Sequence, residues 1–203
     1  MNLRQRAGFL FLATLAIALL FGGYGQTGVE AKSKGLKPSD PQYDGPLDTN
    51  YDHVIVPGTR IGPVQLGGSV RDALKHLGNP DGVARYVCGG VRPCPPDTVF
   101  YWYTKDQCLV FQFTDAGLDP KVTGVTATCE KWSTRDGLRV GFPMPDLANR
   151  FAEYCPVQFT SKGHIFGIFT KNGIDFRGKN RNSSVSEINV TEARTSWNGM
   201  CRD

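Results

Sequence analysis

Histidine is scarce in this chain: His53, His76 and His164 are the only three in 203 residues. None has a companion at metal-ligand spacing, which argues against a histidine-built metal centre. No Gly-x-Ser-x-Gly elbow, phosphate-binding loop or dinucleotide fingerprint occurs, and no basic stretch is interleaved with aromatics as in nucleic-acid binders. The expectation is therefore a non-catalytic protein: no catalytic residue, no cofactor, no metal and no nucleic-acid partner. A Ser-His-Asp set brought together only by folding is the one enzyme arrangement these absences leave open. The net charge of +4 is mildly basic and implies no partner by itself.

Long apolar runs are also lacking, with one exception. Residues 8–21 (GFLFLATLAIALLF) follow Arg4 and Arg6, and Val29 and Ala31 supply small residues before a possible cut. This is the layout of a secretory signal. Fourteen residues are few for a membrane span, although Ala7 and Gly22 to Tyr24 extend the run toward one. Residues 1–31 are thus read as a signal peptide or an N-terminal anchor. No Cys lies at the end of the run, which argues against a lipid anchor. Either way the rest of the chain is expected outside the cytoplasm: periplasmic, secreted, or held on the outer side of the membrane.

All six cysteines, Cys88, Cys94, Cys108, Cys129, Cys155 and Cys201, follow that segment. An even count in an exported chain reads as disulfides, although six cysteines allow about 15 pairings. The set preferred on local grounds is Cys88–Cys94, Cys108–Cys129 and Cys155–Cys201. Cys88 and Cys94 are too far apart for a zinc knuckle and have no nearby His.

Residues 32–53 are polar and rich in Pro and Gly, and read as a flexible tether. A first α+β unit is expected over 54–132 and a second, with a C-terminal tail, over 133–203. In the first, an extended piece at 60–66 leads to Ser69, an N-cap for a helix over 70–77. Val70, Ala73, Leu74 and Leu77 recur at i, i+3, i+4 and i+7, and Gly78 suits the C-terminal turn. Strands are expected at 99–104, 108–114 and 122–129. In the second, Pro143 opens a helix reaching about Tyr154, followed by strands at 165–170, 173–177 and 185–193. Asn172-Gly173 is a hairpin-turn signal.

The two units share a segment. Val64-Gln-Leu-Gly-Gly-Ser-Val-Arg-Asp-Ala-Leu matches Leu138-Arg-Val-Gly-Phe-Pro-Met-Pro-Asp-Leu-Ala at an offset of 74 residues. Gly67/Gly141 and Asp72/Asp146 are identical, and Leu66/Val140, Val70/Met144 and Leu77/Phe151 stay apolar. The predicted fold is α+β: two tandem βαβββ units, each a helix on an antiparallel three- to four-stranded sheet, stabilised by disulfides. On these motifs, and on Gly173-Ile-Asp-Phe176 and Val185 to Val190, the region 55–196 resembles the β-lactamase inhibitory proteins. It is similar also to small exported outer-membrane assembly lipoproteins. The inhibitors have two helices per unit where this chain has one. The resemblance implies a curved sheet surface whose aromatic side chains grip a protein partner in the envelope or extracellular space.

Three places are candidate contacts. Phe100-Tyr101-Trp102-Tyr103 is the densest aromatic stretch, and one alternating pair would face an open sheet surface as partner anchors. The alternative is that both pairs simply pack. The loop 88–96, with Arg92 at its tip, would be preorganised by a Cys88–Cys94 bridge, or serve only as a staple. Between 161 and 184, Lys162, Lys171, Arg177, Lys179 and Arg181 face Asp175 alone. Arg177, Lys179 and Arg181 would form a polyanion site for an anionic glycan or lipid surface, or an ordinary solvated hairpin. Asn182-Ser-Ser and Asn189-Val-Thr are glycosylation sequons. The expected function is a protein-binding subunit or accessory factor of an envelope or surface assembly. The alternatives are an inhibitor of a secreted hydrolase and an anionic-surface binder. Any membrane contact would be through the N-terminal segment alone.

Overall fold

A computed structural model of the chain describes residues 36, 38–86, 98–104, 107–114, 118–151, 156–159 and 165–193. In chain order the elements are β1 (Val54–Val56), β2 (Arg60–Ile61), β3 (Val64–Gln65), α1 (Val70–Leu77), β4 (Gly82–Tyr86), β5 (Thr98–Tyr103), β6 (Leu109–Thr114) and β7 (Val122–Ala127). They continue with β8 (Ser133–Thr134), α2 (Met144–Arg150), β9 (Pro156–Phe159), β10 (Ile165–Phe169), β11 (Ile174–Gly178) and β12 (Val185–Val190). The fold is mixed α+β, as the sequence predicts.

α1 follows its local code. Ser69 is extended at the N-cap and its Oγ accepts from the Arg71 N–H. Gly78 closes the helix at φ +77, donating its N–H to the Leu74 carbonyl. Val70, Ala73, Leu74 and Leu77 are buried. An eight-residue helix is marginal alone. Burial of each of the three larger side chains contributes roughly 1.5–3 kcal/mol, so packing holds it. α2 is described as helical to Arg150, where Phe151 takes a non-helical conformation. The sequence expectation extends it to about Tyr154, and 152–155 lie outside the described residues.

Among the described residues, eight strands form one antiparallel sheet in the order β4-β5-β6-β7-β12-β11-β10-β9. The strands of the two halves therefore join edge to edge, through β7 and β12, with Thr126 opposite Asn189 and Ala127 opposite Ile188. The sequence reading lacks β4 and β9, the outermost strands. β4 (Gly-Val-Ala-Arg-Tyr) has little aliphatic alternation. A smaller sheet runs β3-β2-β1-β8, with β1 and β8 parallel.

One face of the large sheet carries Tyr101, Leu109, Phe111, Phe113, Val125, Phe176 and Ile188. These share a single core cluster with α1, α2 and the small sheet. Phe151 packs on Phe176 with ring centroids 5.6 Å apart. Trp132 is fully buried in this cluster, and its indole N–H donates to the Gln107 carbonyl. It sits so close to Gly62 that a Cβ there would lie 2.2 Å from the ring, at φ +51. The disulfide Cys108–Cys129 spans the β6–β7 pair at a Cα separation of 5.6 Å, as the sequence predicts.

Residues 38–53 are a correction to the tether reading. They lie against the folded body. Asp40 is 8% exposed and pairs with Arg85 of β4. The Tyr43 N–H donates to Asn79 Oδ1 at 2.9 Å, and the Asp48 N–H to the Lys75 carbonyl at 3.1 Å. His76 Nδ1 donates to the Asp48 carbonyl at 2.7 Å. Tyr51 stacks on Trp132 and donates to Gln107 Oε1. The polar, proline-rich composition suggests a coil. Asp48 nonetheless meets α1, Asp40 meets β4, the Pro41 carbonyl accepts from Tyr101 of β5, and Tyr51 reaches Gln107 and Trp132.

Candidate interaction face

The alternation of β5 assigns its aromatics to opposite faces. Tyr101 and Tyr103 point into the core, 0% and 5% exposed. Their hydroxyls donate to the Pro41 and Gly78 carbonyls at 2.9 and 2.8 Å. Burial in the core also holds the Tyr103 hydroxyl far above its usual pKa. Both side chains are buried in the core, which corrects the sequence assignment of these two tyrosines as contact residues. Trp102 and Phe100 lie on the opposite face. Trp102 is half-buried and Phe100 buried. Arg92 lies outside the described residues, as do Cys88, Cys94, Cys155 and Cys201.

The pairing register lays out this second face. Gly82, Trp102, Val110, Thr126, Asn189, Asp175 and Phe169 form one row across seven strands. Beside it run Ala84, Phe100, Gln112 and Gly124 on one half, and Glu187, Arg177 and Gly167 on the other. Both helices bury their apolar residues in the core cluster on the other side. Large side chains lie over glycines of this face, across the strand pair at Gly82 and Gly124 and along the same strand at Gly167. The Trp102 ring is 3.2 Å from where a Gly82 Cβ would be, the Gln112 amide 2.6 Å from Gly124, and the Phe169 ring 2.9 Å from Gly167. Trp102 is half-buried on this face, whereas Ala84, Phe100, Thr126, Phe169 and Asp175 are buried.

At its middle is a shallow dip lined by Phe100, Val110, Gln112, Gly124, Thr126, Arg177 and Asn189. Thr126 donates to Asn189 Oδ1 at 3.1 Å, which orients the Asn189 amide. Arg177 Nη1 is 3.9 Å from Glu187 Oε2, with both side chains about one-fifth exposed. Burial pushes the Glu187 carboxyl above its ordinary pKa, and the Arg177 charge opposes this only in part. Gln112, Thr126 and Gly124 were not singled out by sequence reasoning. The alternation of Leu109, Phe111 and Phe113 in β6 is the signal that would have turned Val110 and Gln112 outward.

The three cations assigned to a polyanion site are not alike. Arg177 is a strand residue of the sheet face, paired with Glu187. Lys179 and Arg181 are exposed on the β11–β12 turn, as is Asn182. Lys162 and His164 lie outside the described residues. Among the described residues no cluster of three or more His, Cys, Asp or Glu is arranged to hold a metal, and no helix is long and apolar enough to cross a membrane. No protein-family model, no curated protein and no solved structure shows significant similarity to this chain.

Proposed function

We propose that the chain is an exported, non-catalytic protein-binding module, a subunit or accessory factor of an envelope or surface assembly. It would be built from two tandem βαβββ units behind a signal peptide or anchor. The duplication is supported by matching contacts at the offset read from the sequence. The Gly67 N–H donates to the Val122 carbonyl, and the Val122 N–H to the Gly68 carbonyl. The Gly141 N–H donates to the Val185 carbonyl, and the Val185 N–H to the Phe142 carbonyl. Gly67 and Gly141 both have positive φ, +70 and +91, which suits glycine. In each half the glycine turn thus grips the first residue of the strand that meets the other half. The reading also draws on the sequence resemblance of residues 55–196 to inhibitory and assembly proteins that grip partners on a curved sheet.

The observation that carries the binding reading is the sheet face opposite the helices, where Trp102 lies over Gly82 beside the central dip. Half-buried Trp on a broad β surface is a common interface anchor. The test is crosslinked capture from the native envelope with the full chain and with Trp102→Glu, followed by N-terminal sequencing of the captured chain. A protein retained by the wild type and lost with Trp102→Glu supports the reading. Retention that ignores Trp102 refutes it. A secreted hydrolase as the captured protein, with a processed N-terminus, would make the chain an inhibitor.

A further inference from the structure

We infer that the Cys108–Cys129 bridge is a redox-sensitive latch that holds residues 38–53 against the folded body. Among the described residues, Cys108 alone of the non-glycine residues has positive φ, +48. Its Cβ makes this conformation costly, and a residue so placed relaxes unless its surroundings hold it. The bridge to Cys129 holds its side chain. Thr128 holds its carbonyl, donating from its N–H and its Oγ1 at 2.9 and 3.0 Å.

The residue before Cys108 is a junction. The Gln107 carbonyl accepts from the Trp132 indole N–H. Gln107 Oε1 accepts from the Tyr51 hydroxyl at 3.0 Å and from Lys131 Nζ at 3.3 Å. Tyr51 also stacks on Trp132, with the ring planes 14° apart. The C-terminal end of segment 38–53 is therefore tied to Gln107. Rotation about the Cys108 N–Cα bond swings the Gln107 peptide relative to β6, which lies in the large sheet from Leu109 onward. With the bridge open, Cys108 turns to negative φ, and Gln107 moves off Trp132 and Tyr51. The strands themselves stay joined, through the β6–β7 ladder from Leu109–Ala127 to Phe113–Val122. Both cysteines are half-buried rather than enclosed, so a dithiol protein reaches the sulfurs. One of its thiolates attacks a bridge sulfur, and the other cysteine leaves as a thiolate. The second thiol of the donor then releases the mixed disulfide by closing a disulfide of its own. The donor loses two electrons and two protons, and Cys108 and Cys129 gain them as thiols.

The test is hydrogen exchange of the full chain, read by mass spectrometry, before and after treatment with dithiothreitol. Amides over 43–53 are expected to exchange about tenfold faster once the bridge is reduced, as loss of one or two hydrogen bonds allows. Over the same times β6, β7 and β12 are expected to stay protected. Cys108→Ser/Cys129→Ser leaves the other four cysteines in place and is expected to show the same release without reductant. Cys108→Gly/Cys129→Ser also lacks the bridge, but glycine takes φ +48 without a Cβ penalty, so most of the protection is expected to remain. Unchanged exchange over 43–53 in the Ser variant would overturn the inference. So would loss of protection in the segment and the large sheet together, or equal release in the Ser and Gly variants.

Discussion

Replacing Asp40 with Ala tests whether the segment before β1 is part of the folded unit. The Asp40 and Arg85 side chains are 5% and 12% exposed, and the carboxylate meets Arg85 Nη2 directly. Removing the carboxylate takes this direct ion pair away from a nearly buried guanidinium. Breaking a buried pair in this way costs about 3–5 kcal/mol. Arg85 lies on the outermost strand, so the lower end, about 3 kcal/mol, is expected. Tyr101 anchors the same segment by donating to the Pro41 carbonyl at 2.9 Å. Tyr101→Phe alone should therefore cost about 1 kcal/mol. If Asp40→Ala already releases the segment, the double variant should cost little more than Asp40→Ala, a coupling of about 1 kcal/mol. Urea unfolding of the full chain, followed by tryptophan fluorescence, gives all four corners of the cycle. A loss below about 0.5 kcal/mol for Asp40→Ala, the range of an ordinary surface substitution, would refute the reasoning and restore a loose tether.

Three further outcomes are expected. Gly62→Ala places a Cβ 2.2 Å from the Trp132 ring at φ +51, and should destabilise by about 2–4 kcal/mol in the same unfolding assay. The double variant Cys108→Ser/Cys129→Ser opens a loop with a sequence separation of 21, and should lose about 3 kcal/mol; an unchanged midpoint would show the bridge to be dispensable. Glu187→Gln tests the buried carboxyl. Because burial raises its folded pKa, the wild type has this group's full stability below the ordinary glutamate range and loses it as pH rises through the raised value. The variant lacks that loss, so its stability relative to wild type should improve from about pH 4 toward neutrality. A difference independent of pH would contradict the assignment.

What the sequence determined by itself was local. Ser69, the apolar positions of 70–77 and Gly78 specify α1 because caps and helical periodicity act within one or two turns. The alternation of Leu109, Phe111 and Phe113 specifies β6, and Cys108 and Cys129 sit where a β6–β7 pair would bring them together. Gly67 and Gly141, picked out by the offset of 74 residues, both have positive φ, +70 and +91. Tertiary structure decided everything that depends on which neighbour a strand meets. Period-two alternation divides Phe100-Tyr-Trp-Tyr into two pairs but does not say which is inside. That was set by Pro41 and Gly78, whose carbonyls take the two tyrosine hydroxyls. Residues 38–53 look like coil by composition, since a few anchors dispersed among polar residues carry no periodic signal. The dip draws on five strands, with Gly124 and Gln112 meeting Asn189 and Arg177 only because β7 pairs with β12. Contacts between residues so distant in sequence arise from packing of a whole sheet, which no local pattern encodes.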